Sequence, residues 1–493
     1  MTAYLKRLVN SLAAYQVADV VSKFIAVLLL PVYTRYIPPA GYGVVELLAN
    51  GVILISILVR FGMIESFLRF YFADDDPDRR DALARRAVGF LLVTTTVVSL
   101  ALAVFAAPLS DIVLGYRATA IFRIAVLGLW SFTNLEMAYA LLRVEERLRT
   151  YATASLINVG LTIGASLALV VGLGQGARGL LLGNYGASTV VLLALWWTMR
   201  DRLRPHHHAG VETHGVLFRF GLPTVPAEAS VYALSIVDRY YIFHHGATGP
   251  KQAGLYSIAV KLAGAVAFIV RAFQYAWPPL AYSVRDDAEA ARLYGLVTTY
   301  YLLVSGLVVA GLALLGRWVL RLLAAPAYYQ AYRALPWVAL GWALYGLWVV
   351  FLVIAGRAKV TTRNFPAALA GLAANVVLLV WLVPKLGIAG AGIALSGAYV
   401  VMIAVMHFLT RRAFAASFEW RRLLQLVVVV GGMAALGDVL LPTQGWAGLL
   451  ARAAVLAAIP LVLLATGFAH TQEIAQARVL LDRARRGVAR EPA

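Results

Sequence analysis

Cysteine is absent from the 493 residues, which excludes a disulfide framework, a thiolate metal site and a thiol nucleophile. Charge is scarce as well. Only 14% of the residues are Asp, Glu, Lys or Arg while 61% are hydrophobic, and mean hydropathy is +0.79, so too few charges exist to cover a water-soluble surface of this size. Lipid is therefore the solvent for most of the chain. Acid is scarcer than base, with 24 Asp and Glu against 43 Lys and Arg, a net charge of +19. In a soluble protein that balance would suggest nucleic acid, but no basic region is interleaved with aromatics for base stacking. In a membrane protein basic residues collect in cytoplasmic loops. No nucleic-acid partner, metal or cofactor is expected, and no catalytic residue is assigned. Lys6 and Arg7 precede an apolar stretch like the start of a signal peptide, yet no small-residue cleavage site follows, which predicts a retained helix.

What the chain does have is long apolar runs. A hydrocarbon core of about 30 Å needs roughly 20 helical residues to cross it. Runs of that length, separated by Gly, Pro and charge, fall at 12–34, 42–66, 86–107, 119–142, 152–173, 179–199, 217–243, 254–280, 293–315, 333–356, 364–383, 387–409, 423–441 and 448–468. The expected fold is an all-α polytopic bundle of about fourteen transmembrane helices. Counting Lys and Arg in alternate connections gives roughly 28 on one side against roughly 10 on the other, with Lys23, Arg60, Arg239, Lys261 and Arg271 set aside as intramembrane. The positive-inside rule then places both termini in the cytoplasm of a multi-pass protein of the inner membrane.

The longest polar break runs from Arg200 to Gly215 and holds His206, His207, His208 and His214. With no cysteine and no paired carboxylates nearby, it reads as a linker rather than a metal site. The expected organisation is an N-terminal lobe over 1–205 (spans one to six), a cytoplasmic linker over 206–216 and a C-terminal lobe over 217–412 (spans seven to twelve). Spans thirteen and fourteen (413–470) and a basic cytoplasmic tail (471–493) follow. The halves echo one another: Ala40-Gly41-Tyr42-Gly43 opens span two and Ala253-Gly254-Leu255-Tyr256 opens span eight. Six spans per half implies lobes related by an axis along the membrane normal, with a central cavity between them.

A charge at mid-bilayer costs roughly 2.5–3.5 kcal/mol on insertion scales, so each should face protein, water or a ligand. Asp19 and Lys23 lie four apart on one face of span one and can pair. In span two Glu46, Asn50, Ile53, Ile57 and Arg60 form one stripe at helical spacing, facing water or another lobe, unless Arg60 snorkels from the cytoplasmic end. Span eight carries Lys261 and Arg271. Arg271 has no acid within one turn and suits an anionic ligand, because its planar fork matches phosphate; pairing with Glu228 or Asp238 is the structural alternative. Asp238 and Arg239, near the outer end of span seven, suit a gate or an ion pair. Glu228 is a candidate titrating group for ion coupling. The compact acidic run Asp74-Asp75-Asp76-Pro77-Asp78 reads as a solvated loop face.

Several stretches resemble a known family. Leu28-Leu29-Leu30-Pro31, Tyr33-Thr34-Arg35-Tyr36, Gly41-Tyr42-Gly43, Arg60-Phe61-Gly62-Met63 and Arg69-Phe70-Tyr71 look like the opening of the oligosaccharide flippases. These belong to the multidrug, oligosaccharidyl-lipid and polysaccharide exporter superfamily. Phe220-Gly221-Leu222-Pro223, Asp238-Arg239 and Gly254-Leu255-Tyr256-Ser257 are similar to the start of that family's second lobe. The resemblance implies alternating-access transfer of a polyprenyl-pyrophosphate-linked oligosaccharide from the cytoplasmic to the outer leaflet, for polysaccharide or O-antigen export. H+ or Na+ would couple the cycle, and membrane lipids and other polysaccharide-assembly proteins would be its partners. In the related peptidoglycan-precursor flippases cationic residues of the first, second and eighth helices line the cavity. By helix, that implies Lys23, Arg60 and Arg271 here. Rival readings are a multidrug or cation antiporter of the same superfamily, against which unpaired Arg271 and Lys261 would argue, and a membrane polysaccharide polymerase. The polymerase generally needs a large outer loop or an acidic site that this chain lacks.

Overall fold

The computed structural model describes residue 25 and residues 27–204 and 210–469, and no strand occurs among them. In lipid a backbone must satisfy its own polar groups, and an unbroken helix does so within one segment. The helices are α1 Leu30–Tyr36, α2 Pro39–Val59, α3 Met63–Tyr71, α4 Pro77–Val104, α5 Ala106–Leu114, α6 Thr119–Val144 and α7 Leu148–Leu167. After a π-turn at Ala168–Gly172 come α8 Gly176–Thr198, α9 His214–Gly221, α10 Thr224–His244, α11 Gly249–Ser283, α12 Asp287–Leu323 and α13 Leu335–Arg357. Then follow α14 Asn364–Leu386, α15 Ile388–Thr410, α16 Trp420–Leu426, α17 Gly432–Leu440 and α18 Gly445–Ala465, with a second π-turn at Val427–Gly431 joining α16 to α17.

Among the described residues twelve helices are long and apolar enough to cross a membrane, or thirteen when His214–Leu234 and Ile236–His244, which meet at 50°, count as one broken span. These match expected spans two to fourteen one for one. The remaining expected span, 12–34, lies mostly outside the described residues, and so do Asp19, Lys23, the His206–His208 triplet and the 471–493 tail. Starts are marked by proline where a missing N–H costs nothing: Pro39 opens α2 and Pro77 opens α4. Before α4 the acidic run acts as a cap, with Asp76 accepting from the Asp78 amide at 3.1 Å and Asp75 pairing with Arg80 at 2.6 Å.

The chain forms two compact units that cut across its order. One comprises Met1–Leu262, Leu320–Ala334 and Ala368–Ala398; the other comprises Ala263–Val319, Leu335–Ala367 and Tyr399–Ala493. In the first unit α6 is central, with 67% of its apolar window buried, while the α7 span buries only 17% of its own. Met63, Phe67, Leu83, Ala87, Leu91, Ala138 and Leu141 from α3, α4 and α6 are almost wholly buried together. In the second unit spans thirteen and fourteen pack on α12 through Ala310, Val430, Ala434, Ile459 and Leu463.

The echo in the sequence marks a physical crossing inside the first unit. A Cβ at Gly43 would overlap the Pro250 carbonyl, and one at Gly254 would overlap the Pro39 carbonyl, so the first turns of α2 and α11 touch backbone to backbone. Toward the other end of α2, Gly62 sits at φ +69° and meets Gly221 in the same reciprocal way, while Ser66 Oγ donates to the Leu217 carbonyl at 2.6 Å. Gly43→Ala should therefore lower stability by roughly 1–3 kcal/mol, the usual cost of overpacking. Gly51→Ala, on the same helix with open space around it, is the internal control and should be neutral in detergent unfolding.

Candidate functional site

The polar stripe of α2 is met by protein. Glu46 Oε1 accepts from Lys261 Nζ of α11 at 2.7 Å, and Tyr42 Oη lies 2.6 Å from the same ammonium, whose charge also sits 4.9 Å from the Tyr42 ring centre. One turn on, Asn50 Oδ1 accepts from Tyr232 Oη of α10 at 2.9 Å, and its amide nitrogen donates to the Glu46 carbonyl at 2.7 Å. Arg60, at the C-terminal cap of α2, reaches Glu228 Oε1 at 2.8 Å and Glu65 at 4.0 Å. Glu46, Asn50 and Arg60 thus share one face because it abuts α10 and α11.

Two sequence expectations are corrected by these distances. Lys261 was expected without a counter-ion, but the helical turn that carries it aims its ammonium at Glu46 and Tyr42. Arg271 was expected to be a lone cation; it is exposed on α11 and engaged in an interaction within the structure. Asp238 is 1% exposed and accepts from Tyr256 Oη at 2.8 Å, while the neighbouring Arg239 is also buried. Glu228 is exposed at 41% of its side chain and held by Arg60. The structure brings Glu46 and Lys261 together, and Arg60 and Glu228 together.

Beside the Glu46–Lys261 pair opens a chamber of about 460 Å³ within the first unit. Its walls come from α1, α2, α6, α7, α8 and the Lys261 turn of α11, and most of its polar groups are uncharged: Ser155, Asn158, Thr162 and Asn184, with Tyr33, Tyr139 and Tyr151. The Tyr139 and Tyr151 rings meet edge to face at 5.0 Å. Tyr139 Oη is buried with no hydrogen-bond partner among the described residues. The π-turn after Leu167 lets α7 turn beside Ser166, which is packed against Gly183 of α8 too tightly for any larger residue there. Tyr33 and Tyr42 lie in stretches that carry the family resemblance, but Tyr139, Tyr151, Asn158 and Asn184 did not stand out in the sequence, although Asn158 and Asn184 inside apolar spans are the kind of polar residue that a membrane interior tolerates only with a partner or a purpose.

A family profile described as "Polysaccharide biosynthesis protein" matches residues 8–285. No curated protein matches the sequence. Among solved structures, a lipid II flippase MurJ in an inward closed conformation superimposes with a TM-score of 0.71 at 13% identity, over 92% of this chain and 98% of that one. An inward-facing multidrug resistance MATE family transporter of the MOP superfamily gives 0.58 at 15% identity, over 80% and 97%. An outward-facing structure of a MATE family transporter gives 0.53 at 14% identity, over 82% and 92%. At these identities the likeness is one of fold.

Proposed function

Because this chain belongs to the polysaccharide biosynthesis protein family, we propose that it moves a polyprenyl-pyrophosphate-linked oligosaccharide from the cytoplasmic to the outer leaflet by alternating access. The polar chamber carries this reading. A hydroxyl- and amide-lined space of about 460 Å³ inside a bundle otherwise faced by hydrocarbon is costly to maintain unless something polar enters it. The residues would bind and carry; no bond is made or broken in this scheme, and an H+ or Na+ gradient would drive it. Other polysaccharide-assembly proteins would hand over and receive the cargo. A cation antiporter on the same fold would need a carboxylate open to exchange. Glu46, the acid among the described residues lining the chamber, is instead held by Lys261.

The experiment is reconstitution of the purified chain into liposomes loaded with a radiolabelled polyprenyl-pyrophosphate glycan, with transfer between leaflets followed by enzymatic access to the sugar. Transfer of an organic cation, with none of the lipid-linked sugar, would replace this reading by the antiporter. The proposed topology, with both termini cytoplasmic, is checked separately in the naturally cysteine-free chain. An Asp75→Cys variant should react with an impermeant maleimide only after cells are opened, and a Tyr116→Cys variant in intact cells.

A further inference from the structure

A pyrophosphate-linked glycan offers two chemically different ends to a binding site, and the chamber of the first unit discriminates between them. Among the described residues that line it, only Glu46 and Lys261 are charged, and they are 2.7 Å apart. An anion brought up to Lys261 also comes within a few ångströms of the Glu46 carboxylate, so repulsion offsets part of the attraction. Two of the three Lys261 donors are already used, on Glu46 Oε1 and Tyr42 Oη. The rest of the lining has the opposite character. Asn158 and Asn184 each offer donors and an acceptor, and Ser155 and Thr162 offer hydroxyls that do either, which suits ligand hydroxyls and wastes half its capacity on an acceptor-only phosphate. Tyr139 adds a buried hydroxyl with no partner among the described residues, on a ring that with Tyr151 presents an aromatic wall.

From this we infer that the chamber is a subsite for the uncharged, hydroxyl-rich sugars of the cargo, and that the pyrophosphate is held elsewhere. The inference rests on the flippase reading above for its cargo but on the chamber's own charge balance for its choice of end. At about 460 Å³ the space falls within the range of small-molecule sites, roughly 300–1,000 Å³, which accommodates a short glycan.

The absence of cysteine makes the test direct. A Ser155→Cys variant carries a single thiol in the chamber wall, and its rate of labelling by a maleimide is measured in the purified full-length protein. The probes are lactose and N,N′-diacetylchitobiose as neutral sugars and geranyl pyrophosphate as the bare anion. At ten times its dissociation constant, at least one disaccharide should slow labelling by about tenfold while geranyl pyrophosphate has no effect. Adding Glu46→Gln releases Lys261 from its carboxylate, and geranyl pyrophosphate should then protect. A Thr162→Cys variant repeats the measurement should Ser155→Cys fail to fold. Protection by geranyl pyrophosphate without the Glu46 change, or none by either disaccharide, overturns the inference. Liposome transfer of the lipid-linked glycan continuing in that case leaves the flippase reading standing, whereas protection without any transfer would sink that reading and keep the sugar site.

Discussion

Replacing Arg452 by alanine is expected to remove about 3–5 kcal/mol of stability, because four main-chain carbonyls lose a donor at roughly 1 kcal/mol or more each. Arg452 is fully buried, and its five donors make five hydrogen bonds. Nε reaches the Pro442 carbonyl at 3.1 Å. Nη1 reaches Leu314 O at 3.2 Å and Asp438 Oδ1 at 2.8 Å, and Nη2 reaches Asp438 O at 3.1 Å and Leu441 O at 3.0 Å. The Asp438, Leu441 and Pro442 carbonyls are those left open where α17 ends, and the Leu314 carbonyl belongs to α12. One guanidinium therefore closes the turn between spans thirteen and fourteen and fastens it to a third helix, with the Trp318 ring 5.7 Å away. Arg452→Lys should recover only part of the loss, since an ammonium has three donors in place of a planar five. Denaturant unfolding of the detergent-purified protein reads both variants. An alanine variant as stable as the parent would show that these carbonyls find other partners and that the network is dispensable.

The bundle itself was legible because its signal is local. A run of about 20 apolar residues means the same thing wherever it sits, and each described span, the bent pair counted as one, overlaps its expected place with ends displaced by less than about ten residues. The repeated Ala-Gly opening of spans two and eight was legible too, and it proved to be the point where the two backbones touch. Partners were not legible. Whether Lys261 is alone depends on which residue of a helix more than two hundred positions earlier is turned toward it, and hydropathy says nothing about rotation. Arg452 shows the same limit: nothing in the hydropathy of its span announces that it lies wholly buried beneath a turn. The chamber was invisible because serine, threonine, asparagine and tyrosine scattered singly along apolar spans carry no charge to draw attention. Only their convergence from α1, α2, α6, α7 and α8 makes a site.

Lys261→Met should abolish transfer of the lipid-linked glycan and cost about 2–3 kcal/mol of stability, less than the 3–5 typical of a sealed pair because 37% of the Lys261 side chain is open to the chamber. The loss comes from Glu46, left as a carboxylate at 12% exposure with its closest cation gone. Methionine keeps the stem packing of lysine, so lost contact is not the cause. Pairing the change with Glu46→Gln removes the stranded charge, and the double variant should regain most of the stability. Function separates two roles that stability does not. A double variant that transports normally would make the pair a neutral strut, since neither charge is then needed for the cycle. One that is stable yet inactive would mean that the pair itself changes during turnover, and a coupling energy above about 1 kcal/mol in the same cycle would confirm that the two groups act together in the folded bundle.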